Sequence, residues 1–331
     1  MMQFFADQID QMDLALDQLA MHDRNFDRFA LMLIDNVVEL SLHNYAKDRS
    51  YENDMRGRLS EPRNDPKLIA AALGQRFDSK IKLARSTKFL SDAVCNSIQY
   101  LHSFRNTAYH RGLRHDGILH SLALFYFKNA CMVLANHSPM VWSSGSRDRV
   151  SHRAAKYLGK IGFMAPKSAF DAAWERLRQV ADTMSDSMIS DLHSDMKEVI
   201  DRTNSSLDFL TENVFSEQKD RTAIVISCQA WPFAFTDAGK KYAIENRGPT
   251  STTHDYVEWI SSNYPWPIKS DPIPGWLKRL DSLKLEKDPH IALKKYCDFL
   301  NQTEEIRSSI NDAEYQLDSH IQLLVDEARG K

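Results

Sequence analysis

The chain has 331 residues, 43% apolar and 26% charged, with a formal net charge of −3. This is an ordinary globular composition, long enough for about two domains, and the charge excludes a protein that binds polyanions over its whole surface. Gly and Pro number only 11 each, which favours helix. The four cysteines, Cys95, Cys131, Cys228 and Cys297, lie too far apart for a C-x-x-C pair or a zinc set, and read as free thiols in a reducing compartment.

The opening MMQFFADQIDQMD carries acidic residues and no basic segment, so it does not read as a signal peptide. Phe5, Ile9, Met12, Leu16 and Leu19 follow a 4-3-4-3 spacing that predicts a first amphipathic helix. Asp23 is placed to cap a second helix over 24–47. That stretch is apolar on most sides between Phe29 and Leu42, as in a helix central to a bundle. Residues 48–65 read as polar and irregular. Asp65-Pro66 opens a helix with Ile69, Leu73, Phe77 and Ile81 on its stripe. The next is predicted from Ser86 to His110, striped by Leu90, Val94, Ile98, Leu101, Phe104 and Ala108, with Gly112 as its stop. A strongly apolar helix follows over 118–136. The longest apolar runs, FALMLI and LALFYF, fall far short of the roughly 20 residues a membrane span needs, so a cytoplasmic protein with no membrane partner is expected.

HSPMVWSSGS, 137–146, marks the expected boundary between a helical bundle over 1–140 and a mainly helical region over 141–331. Within that region 166–215 reads as one long helix or two broken ones, with Ile189, Leu192, Met196, Val199, Thr203, Ser206 and Leu210 in heptad-like spacing. AIVISC, 223–228, is the one strand-like run. NYPWPIKSDPIPGW reads as a loop, Asp288-Pro289 starts a helix, and Ile306, Ile310, Ala313, Leu317, His320 and Leu324 stripe a final one. All six Trp lie beyond residue 140 and read as core packing. The expected fold class is all-α.

The pattern R-x4-H occurs twice, as RNTAYH at 105–110 and RDRVSH at 147–152. Only the first closes a long apolar-striped helix. On that helix Asn106 and His110 are i and i+4 and share a face. Arg105 and His110 are about 140° and about 7.5 Å apart. Arg105 must therefore reach round, act at the helix edge, or be paired with a second copy of the motif across a two-fold axis; the last supplies two His and two Arg and is preferred. Cleaving RNA without a metal needs a base for the ribose 2′-hydroxyl, an acid for the leaving oxygen and a cation for the charge on phosphorus. Histidine suits the first two tasks and arginine the third. The negative C-terminal end of a helix favours a protonated His110 and holds Arg105 and Arg111 in place.

FRNTAYHRG resembles the signature of the HEPN superfamily: Arg, a polar residue, three variable residues, then His, carried on a small all-α bundle. RFALMLIDNVVEL resembles the long apolar helix of such bundles, and the resemblance spans about residues 24–136. It implies a metal-independent endoribonuclease with no cofactor, leaving a 2′,3′-cyclic phosphate and a 5′-hydroxyl. It also implies a homodimer with a composite site, and a toxin or anti-phage role in which an antitoxin or regulatory protein is a partner. Arg105 and His110 are then the catalytic pair and Asn106 the accessory polar residue. Some members carry a modifiable Tyr two residues after the His, where this chain has Gly112.

Asp35, Asn36 and Glu39 interrupt the apolar second helix and are candidates to orient Arg105 or His110; Tyr109, beside the His, is counted with them. RNA contact is assigned to Arg111 and to segment 143–167, where six Lys/Arg face one acidic residue and Arg147, Arg149, Arg153 and Lys156 are the candidates. Residues 49–88 are basic to a lesser degree. The competing class is a non-catalytic dimer whose basic cleft binds a nucleotide or nucleic acid.

Overall fold

The computed structural model describes residues 1–59, 64–110, 116–145, 148–159, 165–184, 187–213, 220–249 and 252–330, with the backbone alone at 108–110 and 116. Among these residues every regular element is a helix, as the composition and stripes predict. No described helix is long and apolar enough to cross a membrane. The chain divides into two compact units: Met1–Leu192 with Lys287–Lys294, and His193–Glu286 with Lys295–Lys331. The boundary expected near 140 falls inside the first unit.

In the first unit α1 (Met2–Leu19) buries the 4-3-4-3 stripe Phe5, Ile9, Met12, Leu16 and Leu19. Asp23 caps α2 (Arg24–Arg58) by accepting from the Asn25 N–H at 2.9 Å. The second helix is central, as its pattern predicts. It packs against α1, α3 (Pro66–Leu73), α4 (Phe77–Ser86), α5 (Asp92–His110) and α6 (Leu119–Asn136). It also runs on through 48–58, read from sequence as irregular. Glu52 pairs with Arg49 and with Arg56 (2.7 Å) along one helix face. Asn53 clasps the backbone of Asn64 through two hydrogen bonds, of 2.8 and 3.0 Å.

The helix predicted through Ile69 and Ile81 is broken at Gly74, whose carbonyl accepts from Lys80 Nζ at 2.9 Å. The following helix starts at Asp92 rather than Ser86. Lys88 takes the left-handed conformation (φ 55°), and the Phe89 N–H returns to the Ala84 carbonyl at 2.9 Å, closing α4. α6 is buried on almost every side from Leu119 to Leu134.

The first unit continues past residue 140 because α7 (His152–Leu158) packs on α1, and α8 (Lys167–Asp182) packs on α1, α6 and α7. Trp174 of α8 is 1% exposed, with its ring 6.1 Å from that of Phe5. Asp13 of α1, also buried, fastens α7. It accepts from Tyr157 Oη (2.5 Å), Arg153 Nη1 (2.6 Å) and Lys156 Nζ (3.0 Å). On α6, His120 Nδ1 lies 2.7 Å from Asp27 Oδ1 of α2. Residues 287–294 belong here through His290, whose Nδ1 lies 2.8 Å from Ser97 Oγ.

The second unit holds most of α9 (Met188–Asn213), α10 (Arg221–Ala234), α11 (Asp237–Glu245), α12 (Thr253–Asn263), α13 (Ile273–Lys284) and most of α14 (Pro289–Ala328). The strand-like AIVISC lies in α10. Its buried residues, Ile224, Val225 and Cys228, are spaced i, i+1, i+4, which is a helix face and not an alternation. Residues 166–215 resolve into two helices, α8 and α9. The two predicted C-terminal helices are one, because neither Gly nor Pro interrupts the chain between Pro289 and Gly330. Ser206 of α9 donates to Glu314 of α14 at 2.6 Å. α10 and α12 pack around Ala230, Ala234, Val257, Ile260 and Trp266. Trp174, Trp266 and Trp276 are buried as expected of core residues, whereas Trp231 is exposed. All four cysteines are buried and free.

Two opposed pH dependences follow. Burial pushes the Asp13 carboxyl up, but donation by Tyr157, Lys156 and Arg153 outweighs it and holds Asp13 below its ordinary 3.8. Its stabilisation is present above that value and is lost as pH falls through the lowered one. Asp13→Asn is expected to lose about 1–3 kcal/mol at pH 7 and to flatten acid destabilisation below about pH 4 in urea titrations. The hydrogen bond to Asp27 raises His120 above its ordinary 6.5 against the effect of burial. Its contribution is complete below 6.5 and is lost as pH rises through the raised value. His120→Asn is expected to flatten the fall in urea midpoint above about pH 6.5.

Candidate functional site

Ser91 opens α5 by accepting from the Val94 N–H, and the helix buries Val94, Cys95, Ile98 and Leu101 against its neighbours. The 3-4 spacing of Ile98 and Leu101 continues to residue 105. The next inward position therefore carries Arg105 where a leucine would complete the stripe. On α2 the facing stripe runs Leu31, Ile34, Val38, Leu42 and carries Asp35 among them.

The two charges meet. Asp35 is 1% exposed, and its Oδ2 lies 3.4 Å from Arg105 Nε. A carboxylate this deep costs several kcal/mol unless donors surround it. Two more supply that shell. Tyr126 of α6, itself 0% exposed, donates its hydroxyl to Asp35 Oδ1 at 2.8 Å. His102 of α5 brings Nδ1 to 2.9 Å from Oδ1 and 3.1 Å from Oδ2. Burial, and then the adjacent carboxylate, push the Tyr126 phenol well above its ordinary 10, so it remains a donor. The His102 ring lies flat on Phe77 of α4, with centroids 3.8 Å apart and planes within 3°. Three helices thus meet at one carboxylate, and a fourth, α4, packs Phe77 on the histidine.

Arg105 is not swallowed by this contact. A third of its side chain is exposed, and Nη1 donates to Asn106 Oδ1 at 2.9 Å. The anchoring Nε therefore fixes a guanidinium at the bundle edge, beside the amide of the next residue. His110 and Tyr109 lie in the last turn of α5, where the backbone places His110 one turn beyond Asn106 on the same face; their side chains are outside the described residues. Arg111 and Arg147 also lie outside them, with Gly112.

The other sequence candidates separate. Of the three polar residues on α2, only Asp35 meets Arg105. Asn36 donates to Gln11 of α1 at 2.7 Å, and Glu39 pairs with the buried Lys80 of α4 at 3.2 Å. Asn36 is turned about 100° from Asp35, while Glu39 lies one turn further along nearly the same face, where its neighbour is α4. In the basic segment Arg153 bridges Asp13 and Asp17, Lys156 pairs with Asp13, and the Arg149 N–H donates to Gln3 Oε1. Arg153 and Lys156, assigned to RNA contact from sequence, pair with carboxylates of α1 and remain 43% and 61% exposed. Sequence reasoning passed over His102 and Tyr126. His102 stands four residues before Asn106, a signal available in the spacing; Tyr126 lies in an apolar run with nothing to distinguish it.

Among the described residues no group of three or more His, Cys, Asp or Glu is arranged to hold a metal ion. The chain matches no protein-family model, no curated protein and no solved structure.

The network predicts its own energetics. Tyr126→Phe removes one donor from a buried carboxylate and is expected to lower stability by about 1–3 kcal/mol. Asp35→Ala leaves the buried Tyr126 hydroxyl without its acceptor and is expected to cost at least as much. The double variant should lose less than the sum, a coupling read from urea unfolding followed by circular dichroism.

Proposed function

We propose that the protein is a metal-independent endoribonuclease whose reacting groups lie along the C-terminal half of α5. The observation that carries this reading is Arg105: a cation in the place of a core leucine, anchored through Nε by a buried carboxylate, with a third of its side chain in solvent. A buried ion pair adds little stability over apolar residues of the same volume, so packing alone does not call for it. An anchored guanidinium at an edge is suited to a phosphate in transition. The sequence RNTAYH, with its resemblance to HEPN ribonucleases, supplies the chemistry.

In the proposed reaction the ribose 2′-oxygen loses its proton and attacks the adjacent phosphorus. The bond from phosphorus to the 5′-oxygen breaks and that oxygen gains a proton. The products are a 2′,3′-cyclic phosphate and a 5′-hydroxyl, with no water consumed. Arg105 stabilises the pentacoordinate phosphorus, Asn106 braces the guanidinium, and His110 transfers a proton. The resemblance extends the proposal to a homodimer and to a toxin or anti-phage role. Arg153 and Lys156, paired with Asp13 yet 43% and 61% exposed, remain candidates for RNA contact.

Wild type, Arg105→Ala and His110→Ala should be incubated with total RNA in EDTA. The expected result is cleavage by wild type and a loss of about 10²–10⁴-fold in each variant, both still folded by circular dichroism. RNA left intact by wild type would overturn the reading and favour a protein that binds without cutting. Cleavage surviving both substitutions would move the site elsewhere.

A further inference from the structure

Transesterification needs a base and an acid in the same step, and one imidazole cannot begin that step both neutral and protonated. A second group must act, and a second histidine, from another chain or from this one, can supply it. We infer that His102 is that residue, the general base of the site, so that one chain holds the complete set His102, Arg105, Asn106 and His110. This rests on the nuclease reading and extends it.

The geometry around His102 is that of an oriented base. The Asp35 carboxylate accepts, so the Nδ1 that faces it carries a ring proton, and Nε2 is the nitrogen left for proton transfer. The stack on Phe77 fixes the plane of the ring. The side chain is 20% exposed, which leaves the ring an edge at the surface. When Nε2 takes a proton, Asp35 stands ready against the imidazolium, a carboxylate–imidazole arrangement suited to base catalysis. The charged and titratable groups around the ring are Asp35 from α2, Arg105 from α5 and Tyr126 from α6, while α4 contributes Phe77.

Spacing supplies the rest. His102, Asn106 and His110 follow one another at i+4 intervals on one stripe of α5, so the two histidines are about 12 Å apart along the axis. Arg105 and Asn106 stand between them. Along the helix, His102 stands one turn before Asn106 and His110 one turn after it. His102 Nε2 takes the 2′-hydroxyl proton as the oxygen bonds to phosphorus. His110, at the negative end of the helix, gives its proton to the departing 5′-oxygen. One ring ends protonated and the other neutral, and exchange with solvent restores both.

The test is His102→Asn, whose amide still donates to Asp35 and so preserves the structural bond while removing the base. The urea midpoint is expected to stay close to wild type, and RNA cleavage to fall by about 10²–10⁴-fold. The bell-shaped pH profile of wild type should lose its acidic limb, and added imidazole should restore part of the rate. Mixing His102→Asn with His110→Ala should restore nothing, because both groups act within one chain. A His102→Asn protein that cleaves like wild type, while Arg105→Ala and His110→Ala do not, overturns the inference and leaves the nuclease reading standing. A lowered rate with the acidic limb intact and no imidazole rescue makes His102 merely structural. Recovery on mixing puts the two histidines on different chains and overturns the one-chain site. Wild type inactive on RNA removes both proposals together.

Discussion

Asp35 sits one helical turn after Leu31 on the stripe of α2 that faces the bundle, and its carboxylate has almost no access to water. An ionised group in that place is stable only inside a shell of donors. Here two other helices supply it: Tyr126 from α6 and His102 from α5 by hydrogen bonds, and Arg105 from α5 by its charge at 3.4 Å. Each bond constrains how its helix sits against α2. If α5 slid by one residue, both side chains would turn by about 100° away from the carboxylate. Apolar stripes would tolerate such a shift far better, because dispersion contacts are not directional. The geometry of the candidate site is therefore a consequence of satisfying one buried charge.

A second buried carboxylate shows what the same solution looks like when it serves packing. Asp13 also accepts from a tyrosine and from cations, and it holds α7 to α1. Both of its cations end on carboxylates, and Arg153 is shared with Asp17, while Arg153 and Lys156 stay 43% and 61% exposed. At Asp35 the cation is held by Nε, and its Nη1 faces Asn106 at the bundle edge. The histidine is likewise held by one nitrogen, with a fifth of its side chain exposed. What separates the two clusters is the cation's second partner: at Asp13 both cations end on carboxylates, whereas Arg105 also donates to the neutral Asn106 amide.

Much of the bundle was legible because helix stripes and caps are local. The 4-3-4-3 stripe of α1, the Asp23 cap, the Asp65-Pro66 start and the enclosed α6 follow from side chains within a few turns of one another. Helix stops were less legible. His22 and Lys88 take left-handed conformations at helix ends where the sequence offers no glycine, and Arg247 does so one residue before Gly248. The extension of α2 to Arg58 depends on ion pairs and on Asn53 clasping a distant backbone. AIVISC misleads because β-branched residues favour strands only where packing does not override them.

The sequence by itself determined that the chain is helical, that polar residues intrude on two apolar stripes, and that Arg105, Asn106 and His110 share the end of one helix. Those properties depend on periodicity, which is written in neighbouring residues. Only the tertiary structure decided which intruding residues meet. Asp35 reaches Arg105, whereas Asn36 and Glu39, one and four residues on, turn to Gln11 and Lys80. It alone brought Tyr126 and His102 to the same carboxylate, from 91 and 67 residues away. Partner choice over such separations is set by helix packing and by the need to neutralise a buried charge, and neither is encoded in the spacing of any single segment.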